Sequence, residues 1–326
     1  MESERTLNRS KQRKAFVEYL AQLIDASPRM VYYYIRKYNA YSYPLAYTAA
    51  LTAIERSKIY FYSYPPVTST WSYLLLNVHS YRDINRFIDK DLKIAAVILD
   101  AAVDYYWRKP CSSTPVDYDN EYWKKFWSAI DYLKSIAKEM WIALEVTVPD
   151  YPDDYSKYWK KEHCLWIDSY TNIDRTLDNV FYILSQDKKV QWLLPAQGYE
   201  NTPESILIPL EVYVSHRLHK KYRIALANLC TSKNVTTIVK TIYIARQFCT
   251  ECSFHIFGPS VKAVGDAVKL GALKQGDSFD SMAWTYPRTS GLWSARNEYE
   301  RKMYFEMYLK RVAEALIGKT IDLHNY

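Results

Sequence analysis

Eight short, apolar, β-prone runs recur between residues 58 and 283, and longer stretches with helical spacing separate most of them. The runs lie at 58–64, 71–78, 94–99, 141–148, 190–194, 224–229, 253–257 and 278–283. Helical spacing marks 81–88, 121–138, 169–185, 204–219, 236–247, 261–270 and a long final segment over 297–316. Strands that alternate with helices pair in parallel, because each crossover returns the chain to the same edge. Near-continuous apolar runs suit strands covered on both faces. Eight such units in one domain predict an α/β fold, a (β/α)8 TIM-like barrel, rather than a doubly wound sheet. The expected layout is an N-terminal helical segment over 1–57 and a barrel with its C-terminal helix over 58–326.

The N-terminal segment has its own pattern. Phe16, Tyr19, Leu20, Leu23 and Ile24 repeat at helical spacing, and Ser27-Pro28 opens a second helix running to about residue 38. Arg5, Arg9, Lys11, Arg13 and Lys14 flank the pair. Two helices with a tight turn are either a packing unit or a DNA-reading helix-turn-helix.

Hydrophobic residues make up 49% and charged residues 24% of 326, which is a globular balance and excludes a disordered chain. The formal charge of +7 permits a polyanionic partner without requiring one. A second basic cluster holds Arg217, Lys220, Lys221 and Arg223. No apolar run reaches membrane-spanning length, and the polar N-terminus does not read as a secretory leader. Five scattered cysteines, an odd number, fit a reducing, cytoplasmic setting. Cys249-x-x-Cys252 without a second such pair reads as packing cysteines before it reads as zinc ligands. No dinucleotide, phosphate-loop or nucleophile-elbow motif occurs, and neither metal nor cofactor is expected.

A barrel enzyme works where its strands end. Asp100 closes the third run, and Asp150 follows the fourth. Gln197-Gly198 follows the fifth, Asn228 falls in the sixth, and Gly258 ends the seventh. Asp280 interrupts the eighth, SFDSMAW. Each acid has two readings: an N-cap for the next helix, or a carboxylate aimed into the mouth. Several carboxylates at one mouth suit either metal binding or displacement at a sugar carbon. Asp277 stands just before the eighth run and reads as a solvating or capping acid.

The ordered set His255-Ile256-Phe257-Gly258, Val268-Lys269-Leu270-Gly271 and Asp277-Ser278-Phe279-Asp280-Ser281 resembles the tRNA-guanine transglycosylase superfamily. That likeness runs from about residue 58 to 290. It implies Asp280 as nucleophile and Asp100 as general acid/base. It also implies Asp150, Gln197, Gly198, Asn228 and Gly258 around the heterocycle. Gln197 and the Gly198 N–H would donate to the base carbonyl, and Tyr105, Tyr106, Tyr199 or Trp284 would stack on it. Ala101-Ala102 stands where the family has Ser-Gly, and no cysteine follows Cys252 to build the family's zinc site. The absence is similar to the zinc-less branch that inserts 7-deazaguanines into DNA, a branch found in phages, archaeal viruses and bacterial islands. The implied partners are DNA (alternatively tRNA) and a 7-deazaguanine base such as preQ0. Arg288, Lys220, Lys221 and Arg223 would meet phosphates. Two rivals stand beside this reading: a tRNA-acting enzyme without the zinc site, and an inactive barrel that only binds nucleic acid.

Overall fold

A computed structural model describes residues 29, 43–102, 118–151, 169–186, 188–199, 202–227, 229, 232, 234–285 and 298–318. The paired helices expected before residue 40 lie outside the described residues. Eight strands form one sheet: β1 (Tyr60–Tyr62), β2 (Tyr73–Asn77), β3 (Ala96–Asp100), β4 (Ala143–Thr147), β5 (Gln191–Ala196), β6 (Arg223–Leu226), β7 (Phe254–Ile256) and β8 (Ser278–Asp280). Each falls within or against one of the expected runs. β1 and β8 are shorter than their runs because the ladder ends where the chain turns: Lys58 is left-handed (φ 53°), and a 3-10 turn begins at Ala283.

Every ladder is parallel, in the order β1-β8-β7-β6-β5-β4-β3-β2. The Ser63–Leu74 bridge joins β1 to β2 and closes the ring. Register gives the barrel its shape. Carried across the ladders, the partner of Asp280 is Tyr62, then Tyr73, Ala96 and Ala143. The circuit closes on Ala272, eight residues before its start. A shear of eight over eight strands is that of the (β/α)8 barrel.

Outside the ring lie α1 (Tyr43–Ser57), α2 (Ile84–Ile88), α3 (Asn120–Met140), α4 (Ser169–Ser185), α5 (Leu207–Ser215), α6 (Val235–Phe248), α7 (Val261–Lys269) and α8 (Glu298–Ile317). Their inner faces follow from spacing: α3 buries Tyr122, Phe126, Ala129, Ile130 and Leu133, one stripe at i, i+4, i+7, i+8 and i+11. Each large apolar side chain so buried contributes roughly 1.5–3 kcal/mol. The first crossover departs from the regular pattern, since no helix stands between β1 and β2. The outer face of β1 is covered by α8 instead, with Phe61 against Phe305 and Tyr308. Helix α1 packs on α8 and places Ala50 and Ile54 in the same core as the barrel. The 43–57 stretch is therefore part of the barrel's wall.

Inside the ring, Tyr62, Ala96, Ile98, Leu193 and Ala225 form a separate apolar cluster, with Tyr60, Tyr73, Leu75 and Phe257 against it. Tyrosine fills this barrel where many would use valine or leucine. Burial raises the Tyr62 hydroxyl well above its ordinary range, with Glu145 adding to the effect.

Candidate active site

Parallel strands put all their C-terminal ends on one rim. Asp100 ends β3 and Asp280 ends β8, so both carboxylates belong to that rim. Climbing one residue per strand from Asp280 reaches Leu99 on β3. Asp100 thus stands about one residue, roughly 3 Å, further out along the axis.

Neither acid caps a helix among the described residues. The caps belong to residues later in the loops: Asp119 accepts from the Tyr122 N–H, Asn234 from Thr236 and Thr237, and Ser260 from Ala263. Asp100 instead turns back on its own loop, and Oδ1 accepts the Ala102 N–H at 3.1 Å. Ala102 is left-handed (φ 59°). An alanine here holds a backbone conformation that glycine adopts at less cost.

Asp280 is 8% exposed. Its Oδ1 accepts the Gly258 N–H at 3.0 Å and lies 3.3 Å from His255 Nε2. The histidine contact is close but poorly aligned, so it acts as an electrostatic neighbour more than as a hydrogen bond. Oδ2 has no hydrogen-bond partner among the described residues. A polar column continues below. Arg223 forms an ion pair with Glu145 (Nε to Oε1, 3.4 Å) and donates to Ser278 Oγ (2.5 Å), and Ser278 lies 2.8 Å from His255 Nδ1. With its oxygen already accepting from Arg223, Ser278 gives its proton to Nδ1, which leaves the proton of His255 on Nε2, facing Asp280.

Two more buried polar atoms on the mouth side have no partner among the described residues: Thr147 Oγ1, at the end of β4, and Gln197 Oε1, just beyond β5. The amide orientation of Gln197 is decided by its neighbours. Nε2 faces the Tyr151 carbonyl, which needs a donor, and lies 2.6 Å from Thr176 Oγ1. Oε1 of Gln197 is therefore its spare group, an acceptor, and the donor role expected from sequence is already taken.

Several expected site residues have other work. Gly258 orients Asp280 through its N–H and does not have that group to spare for a base. Gly198 is glycine for packing: a Cβ there would stand 2.2 Å from Ser205 Oγ. Trp284 is buried, donates to Ser63 Oγ and packs edge-on against Phe305, so it is a wall residue and not a stacking platform. Asp150 is buried, and its main-chain oxygen accepts from Tyr118. Tyr199 is half-buried. Asn228, Tyr105, Tyr106 and Arg288 lie outside the described residues.

The basic cluster is at the wrong end. Lys220 and Lys221 precede β6, on the rim opposite Asp280. Arg223 is the first residue of β6 and points into the barrel toward Glu145 and Ser278. None of the three flanks the mouth. Asp277 also departs from its expected solvating or capping role. It is fully buried, pairs with Arg246 at 2.7 Å and accepts the Phe254 and Lys274 N–H groups. Cys249 and Cys252 are joined in a disulfide and are not free packing thiols.

Sequence alone pointed at Asp280, and at Arg223 only as a phosphate contact, but not at the column that Arg223, Ser278 and His255 form beneath the acid. Each looks ordinary in its run; only the register aligns them. No helix among the described residues is long and apolar enough to cross a membrane.

The strand order, parallel ladders and shear define the class, a (β/α)8 barrel. No protein-family model matches the chain, and no curated protein matches its sequence. Among solved structures it is similar to the spore coat polysaccharide biosynthesis protein spsE of Bacillus subtilis, at 15% identity. That match covers 81% of this chain and 71% of the other, with a TM-score of 0.39. HMG-CoA lyase from Brucella melitensis matches at 11% identity over 79% of this chain and 96% of its own, TM-score 0.36. The carboxyl transferase domain of Rhizobium etli pyruvate carboxylase matches at 11% identity over 81% of this chain and 49% of that one, TM-score 0.36. Likeness at this level carries nothing about chemistry.

Proposed function

We propose that the barrel is a pentosyl-transferring enzyme that exchanges guanine in DNA for a 7-deazaguanine base. The observation that carries the reading is Asp280: one carboxylate oxygen is held by Gly258 and His255, and the other is open at the mouth. A retaining exchange at C1′ needs such an oxygen. Oδ2 attacks C1′ as the C1′–N9 bond breaks, and the departing guanine takes a proton from the Asp100 carboxyl. The incoming base returns a proton from its N9–H to Asp100. Its N9 then attacks C1′, and the Asp280 ester bond breaks to free the carboxylate.

The unpartnered Gln197 Oε1 and Thr147 Oγ1 supply acceptors for N–H groups of the heterocycle, and a buried orphan acceptor gains most from such a donor. The target base must leave the duplex to reach C1′. DNA as partner is supported by the resemblance and by the net charge of +7, not by the Lys220–Lys221 cluster.

The test is exchange of radiolabelled guanine and of preQ0 into duplex DNA, single-stranded DNA and tRNA. Label should enter DNA, and Asp280→Ala should abolish the exchange. Label confined to tRNA would move the substrate to tRNA. Tight DNA binding with no exchange of any purine would leave a binding barrel.

A further inference from the structure

At the end of the barrel opposite the mouth, three residues with metal-binding side chains converge, and a fourth, Cys252, is bonded to one of them. Cys249 caps the C-terminal end of α6, Glu251 and Cys252 follow it, and His219 sits in the turn before β6. Ligand atoms of His219, Cys249 and Glu251 all lie within 4.8 Å of one another. Cys252 is bonded to Cys249, with the two Cα atoms 5.4 Å apart.

His219 gives the second, independent observation. Its side chain is 4% exposed, and Nε2 makes no hydrogen bond although Glu251 Oε1 is 3.4 Å away. The other ring nitrogen, Nδ1, stands 3.5 Å from the Tyr213 carbonyl. In the tautomer that donates from Nδ1 to this carbonyl, Nε2 keeps a lone pair that faces the cluster. That is how histidine is prepared for a metal: one nitrogen tied to a carbonyl, the other open. The turn bearing the cysteines is also held in place. Arg246 donates to the carbonyls of Cys249, Thr250 and Cys252, and Lys274 donates to that of Thr250. The Arg246 charge is neutralised by Asp277, which leaves the cluster open to a cation.

We propose that the reduced form of this cluster binds one zinc ion through Cys249, Cys252, His219 Nε2 and Glu251, and that the disulfide is its oxidised, metal-free form. Two thiolates, an imidazole and a carboxylate are a donor set that zinc accepts. Zinc–ligand bonds of about 2.0–2.3 Å set ligand-to-ligand edges near 3.5 Å, so His219, Cys249 and Glu251 need close by about 1 Å, while the two bonded sulfurs part on reduction. Glu251, with 64% of its side chain exposed, marks the side from which the ion enters. A newly made chain carries thiols, so metal binding precedes oxidation and releases two thiol protons. Oxidation by a small disulfide forms the Cys249–Cys252 bond, passes two electrons to that disulfide, which takes two protons from solvent to give two small thiols, and frees the zinc. The switch sits just before β7, whose middle residue is His255. The inference is independent of the guanine-exchange reading.

The experiment uses the full chain, reduced under anaerobic conditions with a phosphine and titrated with Co²⁺. One equivalent should bind with a thiolate-to-cobalt charge-transfer band, and Zn²⁺ should displace it. The oxidised protein should show no band, and oxidising the zinc form should release the ion to a chromogenic chelator. His219→Gln should weaken binding at least about tenfold, and Cys249→Ser/Cys252→Ser should abolish the band in a chain that retains its circular dichroism. Absence of the band from reduced, folded wild type would overturn the proposal without reference to any variant. So would equal binding by the oxidised form, or by His219→Gln.

Discussion

Asp277 and Asp280 stand three residues apart, on either side of one short strand, and their surroundings differ in every respect. Asp277 is fully buried and gives its two oxygens to one guanidinium and two backbone N–H groups. Asp280 is slightly exposed, with one oxygen held and one open. The strand length explains the contrast, since three residues carry the chain from the closed end of the barrel to its rim. At the closed end an acid is safe only if saturated, because a buried unpaired charge costs several kcal/mol. At the rim water or a substrate completes the shell, and an unfilled lone pair is tolerated. In a (β/α)8 barrel one end carries stability and the other chemistry.

The largest effect expected from this contrast is on catalysis. Asp280→Ala should reduce base exchange by on the order of 10⁴-fold or more, while urea denaturation shifts by no more than about 1 kcal/mol. A variant that loses its fold would break the contrast. Asp277→Ala should do the reverse. Removing one partner of a buried pair costs about 3–5 kcal/mol, read as a lower urea midpoint, with exchange per folded molecule retained. A loss under 1 kcal/mol would show that the closed end is less saturated than its hydrogen bonds indicate.

Gly198→Ala should cost about 1–3 kcal/mol through the clash with Ser205. Stability at wild-type level with lost exchange would return Gly198 to a substrate-contacting role. The smallest effect concerns Glu306 on α8. Burial pushes the Glu306 carboxyl up to about 7, above its ordinary 4.5. A raised folded-state pKa means that the stabilisation is complete below about 4.5 and is lost as pH climbs through about 7. Glu306→Gln should remove that slope and exceed wild type by about 1 kcal/mol at pH 8, a discounted figure because Lys302 and solvent screen the charge. Paired thermal melts across pH 4–8 would show it.

Much of the frame was legible in the residues. All eight strands fall at the expected runs, because a strand buried on both faces must be apolar throughout and little else in a chain looks so. The helix over 169–185 matched its spacing residue for residue. The missing first crossover was not legible, since the cover for β1 comes from α8, more than two hundred residues away. Asp280 was singled out because an acid inside an apolar run has few structural uses. Asp277 was misjudged because its partner, Arg246, looks like a solvated helix residue until α6 packs against the barrel. The Lys220–Arg223 cluster misled for a related reason: charge density in sequence says nothing about which rim it reaches.

The sequence by itself determined the alternation of strands and helices, the parallel sheet, and the polar residues that end each strand. These follow from periodicity and composition within a few residues of chain. Only the tertiary structure decided which acid is sealed and which is open, that Gly258 and His255 hold Asp280, and that Cys249, Cys252, His219 and Glu251 meet. Those pairings join residues from separate strands and helices, and the stagger of eight residues around the barrel, which no local pattern encodes, sets them face to face.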